Sequence, residues 1–200
     1  MNVMTRWTAP ALLTLLAACA SPSPAPVLLT LPPAAIGTAM PATPAASAPV
    51  LAVRRVNIPE YLVARRVRYR SDSSTLAEWP NTYWAERIEI GVSREFVSAL
   101  RQQLPGWSMC DTNCGDQVPT LSLQVDLVPM DYLRSAQKLQ ARARITLSGP
   151  GPVPQVLQTQ EVPYELNAAG DTAQAQAQAI ADLIRRVAAA AAPMVASARR

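Results

Sequence analysis

Thr120-Leu121-Ser122-Leu123-Gln124-Val125-Asp126-Leu127-Val128 alternates residue by residue between apolar and polar. Successive side chains of a strand point to opposite faces, so Leu121, Leu123, Val125 and Leu127 share one face and Ser122, Gln124 and Asp126 the other. A strand with one dry and one wet face belongs to an antiparallel sheet covered on one side only. The segment Ala136–Ser148 repeats the pattern, with Leu139, Ala141, Ala143, Ile145 and Leu147 set against Gln140, Arg142, Arg144 and Thr146. Gly149-Pro150-Gly151-Pro152 then supplies a turn, and Val156–Leu166 a third strand that Pro163 should interrupt.

Working outward, a helix is expected over about Thr172–Ala192. Ala173, Ala177, Ile180, Ile184 and Val187 recur at helical spacing. Asp171 with Gln174 forms the capping box, and Pro193 ends the helix. Upstream, Trp84, Ile88, Val92, Phe96, Ala99, Leu100 and Leu104 form a stripe that predicts a helix over Tyr83–Leu104. Asn81 or Thr82 caps it and Pro105-Gly106 stops it. Gly91 weakens its middle by about 1 kcal/mol relative to Ala, which points to close packing there. Strands are expected at Val27–Leu31, Leu51–Asn57 and Arg65–Arg70, where Val67 and Tyr69 oppose Arg66, Arg68 and Arg70. A short one at Leu76–Trp79 should end at Pro80-Asn81. Residues 32–50 are a Pro/Ala-rich loop. The fold class is α+β: an antiparallel sheet with two long amphipathic helices on one face, a single domain over 27–195.

Before that domain lies Leu16-Ala17-Ala18-Cys19, closing a short apolar run that follows Met1 and Arg6. A basic start, an apolar stretch and small residues before the cut make a secretory signal, here 1–18. The run is too short to span a bilayer, which takes roughly 20 residues. Leu-Ala-Ala-Cys has the form of a bacterial lipobox, so Cys19 becomes the lipidated first residue and 19–26 a proline-rich tether. Ala20, where an Asp would favour retention at the inner membrane, points to the periplasmic face of the outer membrane. Several acyl chains on one Cys anchor stably, at about 0.8 kcal/mol per buried CH2.

The chain has 200 residues, a formal charge of +4 and no histidine. Without His there is no Ser-His-Asp or Cys-His nucleophile, and most zinc sites are excluded. No metal spacing, phosphate loop or nucleic-acid motif is present, and no cofactor is expected. Cys110 and Cys114 are expected to close a small disulfide loop in an oxidising compartment, with free thiols as the alternative. Glu86, Glu89 and Glu95 are expected on the first helix, where Glu86 and Glu89 are i, i+3 neighbours that could act as general acid and base, but a solvated helix face salted by Arg87 and Arg94 explains them better. The arginines from Arg65 to Arg70 (Arg65, Arg66, Arg68 and Arg70) suit an acidic partner or anionic headgroups. Tyr61, Tyr69, Trp79, Tyr83 and Trp84 gather beside them, and aromatics of this kind form either a core or a docking surface.

A family resemblance rests on these same residues. Ile58-Pro59-Glu60-Tyr61-Leu62 before an Arg-rich strand, followed by Trp84-Ala85-Glu86 opening an amphipathic helix, resembles the ABC-type transport auxiliary lipoproteins over about 51–190. Val27–Leu31, the loop 32–50 and the Cys110/Cys114 pair depart from that family's pattern. The resemblance implies a protein that docks an MCE-domain protein and an inner-membrane transporter component and catalyses nothing. Tyr61, Arg65, Arg66, Arg68, Arg70 and Trp84 are the candidate contacts for partner or lipid. Homo-oligomerisation is left open. A structural or assembly lipoprotein of another envelope complex is the alternative reading, and a hydrolase is disfavoured by the missing histidines.

Overall fold

A computed structural model describes residues 24–33, 47–111, 114–151, 153 and 155–198. Cys19, the signal segment and most of the loop 32–50 lie outside the described residues. Among the described residues eight strands and two helices run in the order β1 (Val27–Leu29), β2 (Val50–Val53), β3 (Arg66–Arg70), β4 (Leu76–Trp84), α1 (Ile88–Gln103), β5 (Ser108–Cys110), β6 (Leu121–Leu133), β7 (Lys138–Ser148), β8 (Val156–Asn167) and α2 (Ala173–Ser197). Single 3-10 turns occupy Glu60–Leu62 and Arg134–Ala136.

The alternating stretch is the centre of one sheet. Along one edge β6 pairs antiparallel with β7, which pairs antiparallel with β8. The other edge of β6 is shared. Its start lies parallel to β2 (Leu51↔Leu121) and its end parallel to β3 (Arg70↔Leu133). From there the sheet continues to β5 at one end and through β4 to β1 at the other. The sheet is therefore mixed. Among the described strands β3–β4, β6–β7 and β7–β8 are antiparallel and the other pairs parallel, because alternation specifies a half-buried face and says nothing about the direction of the neighbour. Leu121, Leu123, Val125 and Leu127 are buried together with Leu139, Ala143, Ile145 and Leu147, in one core shared with Phe96 of α1 and Leu183 of α2. The helices pack against each other, and α2 lies on β7 and β8.

Four boundaries differ from expectation. The strand β4 does not stop at Pro80 but runs on to Trp84, and α1 starts at Ile88 after an uncapped Arg87. Pro80-Asn81 instead sits in a bulge, where the register against β3 jumps from Tyr83↔Arg66 to Glu78↔Arg68. Asn81 has φ +48°, a left-handed conformation that Asn tolerates better than most residues. Pro163 does not break β8: this strand is an edge with a partner on one side only, so the missing N–H costs no ladder bond. The cap of α2 is Thr172, whose Oγ1 accepts from Ala175 N at 3.0 Å, while Asp171 is engaged elsewhere. Finally, α2 continues through Pro193 to Ser197. Ala191, Ala192, Met194 and Val195 around the proline are buried, and Ala189, whose carbonyl loses its donor, is exposed to water. Packing outweighs one lost helical bond. The three-residue strand β5, paired parallel with β2, has no counterpart among the expected elements.

Candidate docking surface on β3 and β4

The pleat of β3 separates its side chains as the sequence requires. Val67 is fully buried, Tyr69 half-buried, and Arg66, Arg68 and Arg70 project from the other face. Each of these three arginines meets a carboxylate. Glu78, opposite Arg68 on β4, holds Arg68 Nε at 3.3 Å through Oε1 and Arg66 Nε at 3.3 Å through Oε2. Arg68 also donates to Tyr61 O at 2.9 Å. Asp131, from the end of β6, accepts from Arg70 Nε at 2.9 Å and from the Tyr61 hydroxyl at 2.8 Å. The Asp131 carboxylate tightens the proton on Arg70, and burial, followed by Asp131, raises the Tyr61 pKa. Three cations against two anions leave this face mildly basic, and the guanidiniums are positioned by their partners.

Aromatic rings lie under the charges. The Arg66 guanidinium lies 5.2 Å from the Tyr83 ring centre and that of Arg70 5.5 Å from Tyr61. On the other face Arg134 stacks on Trp79 at 4.2 Å and on Tyr69 at 4.9 Å, while its Nε pairs with Asp171 at 2.8 Å. Contacts of this kind attract a cation to the ring face. Asp171, in turn, is held below the usual carboxylate range by Arg134.

The six candidate contacts therefore separate into two groups. Tyr61, Arg66, Arg68 and Arg70 form one connected network. Arg65 stands at its edge, exposed and without an ion pair among the described residues. Trp84 is 4% exposed and belongs to the core. It borders a cavity of about 340 Å3 with Val63, Arg65, Arg87 and Glu89. Glu86 precedes α1 rather than sharing its face with Glu89. Arg94 Nη1 binds Glu86 Oε2 at 2.6 Å and lowers its pKa. Glu89 is 6% exposed, in the first turn of α1, with Arg87 as its ion partner. The helix face is neutralised by arginine as expected, yet Glu89 and Glu95 are buried rather than solvated. Cys110 and Cys114 are joined, with Cα atoms 5.1 Å apart, beside an open cleft of about 580 Å3 that Arg54, Val118 and Gly149 also line.

Among the described residues no group of three or more His, Cys, Asp or Glu could hold a metal, and no helix is long and apolar enough to cross a membrane. The partners Glu78, Asp131, Arg134 and Gln176 had no local signal, because each meets its counterpart only through the fold.

The model of the family described as "ABC-type transport auxiliary lipoprotein component" matches residues 29–192, and the chain belongs to that family. The fold is similar to that of a solved "uncharacterized protein" at 19% identity and a TM-score of 0.68, over 86% of this chain and 99% of that one. It is also similar to a Xanthomonas campestris protein of the DUF330 family at 16% identity and a TM-score of 0.56, over 82% and 88% of the two chains. No curated protein matches the chain.

Proposed function

We propose that this protein is the lipid-anchored periplasmic auxiliary component of an MCE/ABC-type system that moves lipid between two membranes. Cys19 fixes it to the outer membrane, and the far end of the β3–β4 surface, where Tyr61, Arg68, Arg70 and Asp131 meet, docks the transport partner without catalysis. The observation that carries this reading is the family match, which spans the folded domain from β1 into α2. The arginine network supports it: guanidiniums pre-positioned by Glu78 and Asp131 lose little side-chain freedom when they meet an acidic partner surface.

The test is affinity capture of the tagged full-length protein from detergent-solubilised envelopes. An MCE-domain protein or an inner-membrane transporter subunit should co-purify with the wild type, and Arg68→Glu with Arg70→Glu should lose it. Cys19→Ala should release the protein from the membrane and sensitise the outer membrane to detergent. Recovery of a secretin or a β-barrel protein instead would move the assignment to an assembly lipoprotein.

A further inference from the structure

We infer that the β1–β4–β3 edge of the domain rests on the phospholipid bilayer that holds the anchor, with Leu28, Tyr83 and Arg66 as its contact row. This rests on the reading of Cys19 as the lipidated residue and adds the orientation that the anchor imposes.

The first argument is reach. Pro24 stands five positions after Cys19, a span of at most about 18 Å even when fully extended. The chain is secured to the fold as soon as the described segment begins. Asn81, aimed by the bulge in β4, donates its side-chain amide to Pro24 O at 2.8 Å and to Ala25 O at 3.0 Å. At Val27 the chain enters the sheet as edge strand β1, parallel to β4. A domain of this length has a radius of gyration of about 16 Å, so its width exceeds the tether. The edge bearing Pro24 must therefore face the membrane, and β8, on the other side of β6 and β7, points away.

The second argument is what that edge presents. The registers Leu28↔Tyr83 and Tyr83↔Arg66 set three side chains in a row on one face of three neighbouring strands. Leu28 is 57% exposed and Val27 beside it 42%, while most of the other described leucines are buried. Tyr83 is half-buried under the Arg66 guanidinium, and Arg65 follows at the rim. An aliphatic tip, a tyrosine ring and an arginine match the layers of a lipid interface: acyl boundary, headgroup zone and phosphate. Glu78 takes up one charge from Arg66 and Arg68 together, which leaves a basic excess toward anionic headgroups. At three residues, β1 is a poor template for strand addition by a protein partner, whereas β8 offers twelve.

The test uses the acylated full-length protein in vesicles of phosphatidylethanolamine and phosphatidylglycerol that carry a headgroup nitroxide. Leu28→Cys and Val156→Cys, both at exposed sites, are labelled with an environment-sensitive fluorophore, and the unsubstituted protein reports background labelling of Cys110 and Cys114. Strong loss of fluorescence at 28 with none at 156 is the expected result. Equal quenching at both sites, or none at 28 in protein that floats with the vesicles, overturns the orientation and leaves the anchor intact. Failure of the wild type to float while Cys19→Ala behaves identically overturns the anchor and the orientation together. A crosslink from 28 to a second protein chain in place of quenching gives the edge to a protein and also overturns the proposal.

Discussion

The Trp79 indole N–H donates to Gln176 Oε1 at 2.7 Å, joining residues 97 positions apart. Gln176, only 3% exposed in the first turns of α2, returns its own amide to Arg68 O at 2.7 Å. One buried glutamine thus satisfies a donor on β4 and an acceptor on β3, and the strands that carry the arginine surface are tied to the helix behind them. Removing a partner from a buried polar group exposes its desolvation cost, about 1–3 kcal/mol per group. Gln176→Leu leaves both Trp79 Nε1 and Arg68 O unpaired, so urea unfolding should show a loss of about 2–4 kcal/mol. Trp79→Phe should lose less, and the double variant should fall short of the sum by about 0.5–3 kcal/mol. Additive losses would mean the bond contributes no coupling.

Stability against pH should show a plateau with two falling limbs. The chain has no histidine, so no side chain with an ordinary pKa near neutrality is present. Among the described residues four carboxylates are held below their usual range: Asp72 by the backbone N–H of Ser74, Glu86 by Arg94, Glu165 by Lys138 and Asp171 by Arg134. A depressed carboxylate contributes stability above its unfolded value, roughly 4, and loses it as pH falls through the folded value. Tyr61, Tyr132 and Tyr164 are raised, in each case first by burial. Their contribution is complete below the unfolded value, about 10, and is lost as pH rises through the folded one. The urea midpoint should stay level between about pH 5 and 8, drop below about 4 and drop again above about 10. Arg134→Gln should make the acid limb shallower, and an unchanged limb would remove Asp171 from the account.

The joined Cys110 and Cys114 sit at the end of β5, a three-residue strand whose pairing partner among the described residues is β2. Closing so short a loop restricts the unfolded chain by about 2 kcal/mol at most in the chain-entropy account. Cys110→Ser with Cys114→Ser should therefore cost no more than about 2 kcal/mol in urea and should open residues 105–120 to protease first. Alkylation of the acylated protein, whose Cys19 thiol is blocked, should add no mass, and should add two adducts after reduction. A global loss above about 4 kcal/mol would show that the bridge supports more than its own edge.

What the sequence showed and what it hid follow one division. Faces set by period were legible: Leu121 to Leu127, Leu139 to Leu147 and the α2 stripe lie in the core as read. Alternation carries no strand direction, so the parallel neighbours β2 and β3 of the central strand were out of reach. Trp84 misled because a buried strand end four residues before Ile88 continues the helical stripe backwards by coincidence of spacing. Pro80 looked like a stop, since nothing local reveals that Asn81 takes a positive φ and absorbs the proline in a bulge. Of the docking surface, the cations were readable and their carboxylates were not: Arg70 finds Asp131 across the sheet, where no window on the sequence joins them. The burial of Trp84 is likewise a property of the assembled core.

Gly91 is the last position where sequence and packing make opposing demands. A glycine inside a helix costs about 1 kcal/mol relative to Ala, so Gly91→Ala should stabilise α1 unless the methyl meets something rigid. The added Cβ would lie 3.3 Å from Glu86 Oε1 and 3.6 Å from Leu31 Cδ1. The nearer atom is the end of a flexible carboxylate, although Arg94 holds its other oxygen at 2.6 Å. The carboxylate needs to yield only a few tenths of an ångström. Gly91→Ala should thus raise stability by up to about 1 kcal/mol in urea. Gly91→Leu must displace Leu31 as well and should lose about 1–3 kcal/mol. In a Glu86→Ala background the gain from Gly91→Ala should grow, because the closest contact is gone. A gain that stays the same there would show that Glu86 already yields without cost, and a loss in both backgrounds would make Leu31 the wall that keeps the site as glycine.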